Sequence, residues 1–364
     1  MKKKVGKILL RILLVLVTFV AVTIAGAYIT LNTICHGPSL AARDLFVSTI
    51  LETGQMQFLA SWFFSEEEIL AITGRNGMGE HTQEVNTDLI VMPDIDTDTD
   101  PDGQTPERDM DAITIEEISG RSFYAKMMIV NDPSRVKLAS IYPWSDFNKS
   151  KNGKTLEQLV NDGGFIAGIN GGEYYSEGNW GGMPKGLVVG DGEILYNAPE
   201  YGDVMIGFNQ DNVLVIRSIS GMTAGKVEEL VKELGIRDAV SFKDVDSGDS
   251  NHFVKLIING EPREISGNGS GANPRTVIGQ RADGTVLMLV TDGRGANGHL
   301  GATAADLIAI MQDYGAVNAA NLDGGSSSSM YYNGAYEMTS VTCYYATSSW
   351  RLPTAFGVEK RGEE

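Results

Sequence analysis

The chain has 364 residues, 42% hydrophobic and 21% charged, enough to bury one large core or two ordinary ones. Its formal net charge of −18 excludes a nucleic-acid surface, which needs clustered Lys and Arg, and argues against a second, peripheral attachment to anionic lipid. Its 2 cysteines, Cys35 and Cys343, are too few and too far apart for a disulfide framework, and the bulky Ile34 before Cys35 argues against a lipidation box.

The N-terminus reads as a membrane segment. Lys2, Lys3, Lys4, Lys7 and Arg11 precede an uncharged stretch from Ile12 to Cys35. As a helix that stretch is about 36 Å long, enough to cross a bilayer core. Basic residues before it and acidic ones after it orient the N-terminus to the cytoplasm and the remainder outside the cell membrane, as a single-pass anchor over residues 1–35. A cleaved signal peptide competes, since Ala25-Gly26-Ala27 resembles a small-residue cleavage site, but the stretch is long for a signal core.

Residues 36–72 predict a helical stalk. Leu45, Phe46, Ile50 and Leu51 recur at helical spacing, Phe58, Leu59, Trp62 and Phe63 continue the stripe, and Ser65-Glu66-Glu67-Glu68 places acids at a helix N-terminus. Residues 73–111 read as an acidic, self-repelling linker carrying Asp94, Asp96, Asp98, Asp100 and Asp102. Asp98 to Gly103 matches the front of a calcium loop, which Pro101, Pro106 and Asp109 spoil.

Residues 112–364 are the folded domain. Strands are expected over Ser122–Val130 and Arg135–Tyr142, joined at the Asn131-Asp132-Pro133-Ser134 turn. A short helix at Thr155–Val160 leads to a buried strand, Gly164–Ile169. Short strands follow at Leu187–Val189, Val204–Phe208 and Val213–Arg217. Thr223 opens a helix to Leu234 that Gly235 stops. Phe253–Ile258 and Arg275–Gly279 are strands, and Thr285–Thr291 pairs back across Ala282-Asp283-Gly284. Thr303 opens a helix to Tyr314, with Asp306 closing a capping box and Gly315 ending it. Many strands, few helices and hairpin connections predict an α+β domain of mixed, mostly antiparallel sheets after an N-terminal transmembrane helix.

The most informative segment is the turn after the apolar run Ala316–Leu322. It delivers one carboxylate, Asp323, onto Gly324 and Gly325, then onto the hydroxyls of Ser326 and Ser327, before a strand resumes at Met330-Tyr331-Tyr332. An acid, bare backbone and hydroxyls suit an oxygen-rich ligand such as a sugar or phosphate. A Gly/Ser linker is the bland alternative, which the flanking apolar segments oppose. Four other loops share this composition: Gly168–Tyr175, Asn179–Gly186, Gly267–Thr276 and Thr291–Gly295. If they gather at one sheet end, Asp323, Asp292 and Glu173 come within reach of Arg275 and Arg294. Antiparallel pairing of the two strands that carry them would make the arginines neighbours, able to clamp a phosphate. Alternatively each pairs with a carboxylate, such as Asp292 with Arg275, for structure only.

A serine hydrolase is the rival reading of the serine run. Of four histidines only His252 and His299 lie in the domain, and Ser326 lacks the Gly-x-Ser-x-Gly elbow. No zinc-like His/Cys spacing and no phosphate-binding Walker loop occur, so neither a metal nor a cofactor is expected.

As a set, Ile169-Asn170-Gly171-Gly172, Asn273 to Gly279, Asp292-Gly293-Arg294, Gly301-Ala302-Thr303 and Asn318 to Ser327 resemble the phosphodiester glycosidase family over roughly residues 123–357. That family includes the lysosomal uncovering enzyme, and bacterial members are often called exopolysaccharide biosynthesis proteins. The resemblance implies cleavage between an anomeric carbon and a phosphate, with a glycosyl-phosphate or polysaccharide of the cell envelope as substrate. It places Asp323, then Asp292 and Glu173, as candidate acids, and Arg275 and Arg294 on phosphate. Asn170, Thr276, Asn321, Ser326, Ser327 and the backbone at Gly171, Gly172, Gly324 and Gly325 would surround the sugar. Family members often carry an aromatic directly after Asn-Gly-Gly; here Glu173 intervenes before Tyr174-Tyr175. A non-catalytic glycan-binding or polymer-assembly protein is the alternative.

Overall fold

The computed structural model describes residues 2–53, 56–92, 109–144, 152–175, 181–244, 253–340 and 348–361. The chain forms two compact units, Met1–Arg75 and Asn76–Glu364. Cys343, His252, the acidic run at 94–102 and its calcium-loop resemblance lie outside the described residues.

The first unit opens with α1 (Lys2–His36), of which Lys4–His36 is long and apolar enough to cross a membrane. The same property suits an anchor or a signal sequence. Three helices follow, α2 (Leu40–Leu51), α3 (Phe58–Phe63) and α4 (Glu66–Arg75). Ser39 caps α2 by accepting the Ala42 amide at 3.2 Å. At α4, Glu68 accepts the Ser65 amide at 2.8 Å while Ser65 accepts the Glu68 amide at 3.3 Å, a capping box. Cys35, Val47, Leu59, Phe64 and Ile72 pack together, so Cys35 is a packed core residue. Asp44, buried beside them, pairs with Arg43 and Arg75.

The second unit runs through β1 (Ile113–Ser119), β2 (Tyr124–Val130), β3 (Val136–Ser140), α5 (Leu156–Asp162), β4 (Phe165–Asn170), β5 (Gly186–Gly190) and β6 (Glu193–Ala198). It continues with β7 (Val204–Asn209), β8 (Leu214–Ser218), α6 (Ala224–Glu233), β9 (Ile236–Phe242), β10 (Lys255–Ile258), β11 (Glu261–Pro262), β12 (Thr276–Arg281) and β13 (Val286–Thr291). It ends with α7 (Ala304–Asp313), β14 (Ala316–Asn321), β15 (Ser329–Tyr332), β16 (Ala335–Thr339) and β17 (Thr354–Glu359). The strands make a seven-stranded sheet, β1-β2-β13-β12-β14-β10-β11, and two five-stranded ones, β16-β15-β4-β17-β3 and β6-β5-β9-β7-β8. The strand pairs are antiparallel throughout these sheets, which is the expected α+β architecture.

Strand alternation explains how the three sheets share one core. Met128, Val130, Ile278 and Met288 of the large sheet, Ile169, Phe356 and Val358 of the second, and Ile206, Phe208 and Val240 of the third point inward to one cluster. The opposite faces are each roofed by a helix. Met127, Leu287 and Leu289 meet Leu307, Ile308 and Met311 of α7. Ala355 meets Leu156 and Leu159 of α5, and Met205 and Ala239 meet Val227 and Val231 of α6.

Residues 76–92, expected within the linker, pack on the large sheet, from the stretch after β11 at Gly79 to the β12–β13 turn at Val91. Gly79 donates to Glu264 O at 2.9 Å, and Val91 to Ala282 O at 2.7 Å. The physical cause is two buried cations that need oxygens. Lys255 Nζ donates to His81 O at 2.7 Å, and Arg263, paired with Asp244 at 2.8 Å, donates through Nε to Gly79 O at 2.6 Å. The segment also covers an otherwise open sheet edge.

Candidate active site

The three sheets meet at one end, where Asn170 at the end of β4 ties the second sheet to the first. Its Nδ2 donates to Asp323 O at 2.6 Å, while its Oδ1 accepts Thr276 Oγ1 at 2.7 Å and the Ser329 amide at 3.1 Å. The next residues carry the stitch onward. Gly171 donates to Thr354 O at 3.2 Å, and Glu173 donates to Ser241 O at 3.1 Å on the third sheet. Asn170 and Thr276 are fully buried and spend their polar atoms on this frame, so they shape the site from beneath. The same holds for the glycine amides expected to meet sugar hydroxyls. Those of Gly171 and Gly172 go to Thr354, that of Gly324 to the Asp323 carboxylate, and that of Gly325 to Pro274 O. The glycines serve close approach of backbones, not donation to a ligand.

Asp323 sits half-buried at the head of the turn after β14. Burial pushes its carboxyl up to about 7, and the charge of Glu173 adds to this. Hydrogen bonds from Ser327 and the Gly324 amide, and the Lys185 charge, pull the other way. Ser327 Oγ also lies 3.0 Å from the hydroxyl of buried Tyr174, whose own pKa is driven well up by burial and then by the Asp323 charge. Ser326 Oγ accepts Arg294 Nη1 at 2.8 Å. Arg294 stands in the left-handed region, φ 55°, in the loop after β13. Loss of hydration and then the Arg275 charge lower its pKa, while Asp323 raises it. Arg294 is therefore electrically coupled to both Asp323 and Arg275.

The two arginines are neighbours, as strand pairing predicts: Arg275 donates its amide to Thr291 Oγ1 at 2.9 Å, and Thr276 pairs with Val290. Their roles differ. Arg275 is buried, stacks 4.8 Å over Phe253 and donates through Nη2 to Gly271 O at 2.9 Å. It braces the loop before β12, so of the two arginines Arg294 is the more exposed. Asp292 is likewise spent. One oxygen accepts the Tyr124 amide at 2.7 Å and the other lies 2.6 Å from His299 Nδ1. Asp292 is thus paired with His299. Among the described residues no serine hydroxyl hydrogen-bonds His299. Asn321 is buried and donates to Phe253 O at 3.0 Å.

Lys185 is a site residue that sequence reasoning passed over. Its Nζ bonds Glu173 Oε1 at 3.1 Å and lies 5.0 Å over the Tyr175 ring. The signal was available: Gly168–Tyr175 and Asn179–Gly186 are two polar loops close in sequence, and a Tyr174–Pro184 bridge pairs them. Among the described residues no group of three or more His, Cys, Asp and Glu could hold a metal ion.

A carboxyl with a raised pKa, a guanidinium coupled to it and serine hydroxyls on a turn are thus gathered on the loops of an α+β scaffold. The chain belongs to the phosphodiester glycosidase family: the family's model matches residues 163–359, more than half of the chain and every candidate site residue. An uncharacterized SPbeta prophage-derived protein of Bacillus subtilis (strain 168), YomE, is 26% identical over 204 residues, 54% of this chain. The chain covers 29% of that relative's length. The zebrafish N-acetylglucosamine-1-phosphodiester alpha-N-acetylglucosaminidase catalytic domain, auto-inhibited by its pro-peptide, aligns with a TM-score of 0.49 at 20% identity, over 69% of this chain and 83% of that one. A hypothetical protein from Synechocystis aligns with a TM-score of 0.43 at 15% identity, over 68% and 61%.

Proposed function

We propose that this chain is a hydrolase of sugar-1-phosphodiesters, GlcNAc-1-phosphate-like linkages of envelope glycans, held outside the cell membrane by α1. The observation that carries the reading is Asp323, raised to about 7 and electrically coupled to Arg294. A phosphate monoester is a good leaving group, so the reaction needs little acid help. It needs a base for water and a cation for the charge that develops on phosphate. Water attacks the anomeric carbon, its proton passes to Asp323, and the bond from that carbon to the phosphate oxygen breaks with its electron pair leaving on the phosphate. Arg294 meets that charge. A base whose pKa lies near the working pH is the efficient choice. The family membership supports the bond type; the polymer is inferred from the proposed location.

The test is release of free sugar from an α-linked GlcNAc-1-phosphodiester by the full chain in detergent. Asp323→Asn should lower turnover by at least ~10²-fold, the scale of lost acid–base catalysis. Full activity in the Asn variant would reject the role of Asp323. Tight glycan binding with no sugar release by the native chain would favour a non-catalytic binding protein.

A further inference from the structure

The first unit turns two large aromatic side chains outward at one place in its fold. In α3, Phe58 and Trp62 lie four residues apart on one helix face, their rings edge to face with centres 4.9 Å apart, and Trp62 is 71% exposed. The other side of α3 is spent on packing. Leu59 joins Val47 and Cys35 in the core of the unit, and Phe63 stacks on Tyr28 of α1 with ring centres 6.1 Å apart. The level of α3 along α1 says what covers the outward face. Arg11 is the last charge before the uncharged stretch from Ile12 to Cys35. At 1.5 Å per residue, Tyr28 lies about 26 Å above Arg11 and His36 about 38 Å, so the outer edge of a hydrocarbon core roughly 30 Å thick falls between them. The end of α3 packs on these same two residues: besides the Tyr28 stack, the His36 ring lies 6.3 Å from that of Phe63 and 5.5 Å from that of Phe64. Thr23, Thr30 and Thr33 donate to Phe19 O, Gly26 O and Ile29 O at 2.9, 2.9 and 2.8 Å, so these hydroxyls are met by α1 itself, as lipid requires.

We propose that α3 is a membrane foot: Phe58 and Trp62 lie in the lipid interface where α1 leaves the bilayer, and hold the first unit against the membrane surface. This rests on the reading of α1 as a membrane-spanning anchor. Tryptophan gathers at that level because its ring is apolar and its N–H finds water or headgroup oxygens there. Phe58, 47% exposed, adds apolar area on the same face. The attraction is aromatic and apolar, not electrostatic. Between His36 and Arg75 the basic residues are Arg43 and Arg75, both bound to Asp44, while Glu66, Glu67 and Glu68 open α4. The partner is therefore a zwitterionic lipid surface, with no need of anionic headgroups. The core formed by Val47, Leu59 and Phe64 with Cys35 ties α3 to the end of α1, so the foot is placed by the helix that crosses.

The test is depth-resolved quenching. The full chain is reconstituted at high dilution into phosphatidylcholine vesicles whose acyl chains carry bromine either near the headgroup or near the chain end. The chain has 4 tryptophans, so the signal of Trp62 is taken as the difference in emission between the native chain and Trp62→Phe. Bromine near the headgroup should abolish most of that difference, and bromine near the chain end should leave most of it. A second variant reports on α1 by itself. Val22, exposed on α1 about 17 Å above Arg11, lies near the middle of the bilayer. Val22→Trp in the Trp62→Phe chain should be quenched most by bromine near the chain end. A Trp62 signal that escapes both quenchers, whether a second copy covers it or it stands in water, overturns the foot; so does one quenched more by the deeper bromine. In either case a quenched Val22→Trp leaves the anchor standing. A Val22→Trp signal that neither bromine reduces overturns the anchor and the foot with it.

Discussion

At the scale of single residues, Asp323 shows a side chain kept where its charged form is disfavoured. Its folded pKa, about 7, lies above the ordinary 3.8, so between those values the folded chain binds more protons than the unfolded one. Stability should therefore fall as pH rises across that window and level off above about 7. Asp323→Asn removes the titration. Its Tm should match the native value near pH 4 and exceed it at pH 8, by the equivalent of at most about 4 kcal/mol. Thermal unfolding at the two pH values checks this; a lower Tm for the Asn variant at pH 8 would count against a charge-disfavouring site. Gly325 argues the same trade in backbone terms. It holds φ +61°, and a Cβ there would lie 2.6 Å from Arg294 Nη2. Gly325→Ala should displace the guanidinium and raise KM for a phosphodiester, beside a strain of about 1 kcal/mol. Gly334→Ala is the control, with φ +87° and open space around it; an equal KM effect in both would reject the guanidinium argument. Asp323 and its glycines stand out in sequence because their residue types have few other uses after an apolar run. The tasks of Asn170, Arg275 and Asp292 were not, since Thr276, Gly271 and His299 become their partners only through folding.

At the scale of elements, some features carry local signs. The α7 capping box stands as written in the sequence: Thr303 Oγ1 accepts the Asp306 amide at 3.3 Å and Asp306 accepts the Thr303 amide at 2.8 Å. Thr303→Ala should cost about 1 kcal/mol, seen as a Tm lower by roughly 2–4 °C. No shift would mean that packing of Leu307 and Met311 alone sets the helix start. The β12–β13 hairpin was legible because its turn and both partners are adjacent in sequence. The strands that escaped notice did so for different reasons. β1 is an edge strand whose Glu116-Glu117 pair breaks the alternation, while β6, an edge strand too, is joined to β5 by the Asp191-Gly192 hairpin turn, a local sign that was passed over. β17 is central and apolar, but it pairs with β3 and β4, far upstream. The pairing of β17 is decided by the shared core, which no short window contains.

For the whole molecule, the boundary of the domain matters more than composition suggests. Acidic, Gly- and Asn-containing residues 73–92 resemble a spacer because their side chains bury little. Their contribution is made by backbone carbonyls, to which composition is blind. His81 O and Gly79 O each take a hydrogen bond from a buried cation, Lys255 and Arg263, and Asn259 Nδ2 donates to Glu84 O at 2.8 Å. A hydrogen bond to a charged group contributes roughly 1.5–3 kcal/mol, and more is lost when its removal leaves a buried charge short of partners. A chain that starts at Asn76 keeps this segment, and one that starts at Ala112 does not. The longer one should unfold in a single step on heating. The shorter one should lose several kcal/mol, a Tm fall on the order of 10 °C for a domain of this size. Adding the 76–92 segment back as a peptide should recover part of that loss by mass action. Equal Tm values for the two chains would show the β10–β11 edge to be stable uncovered, and would return the segment to the role of spacer that its composition suggests.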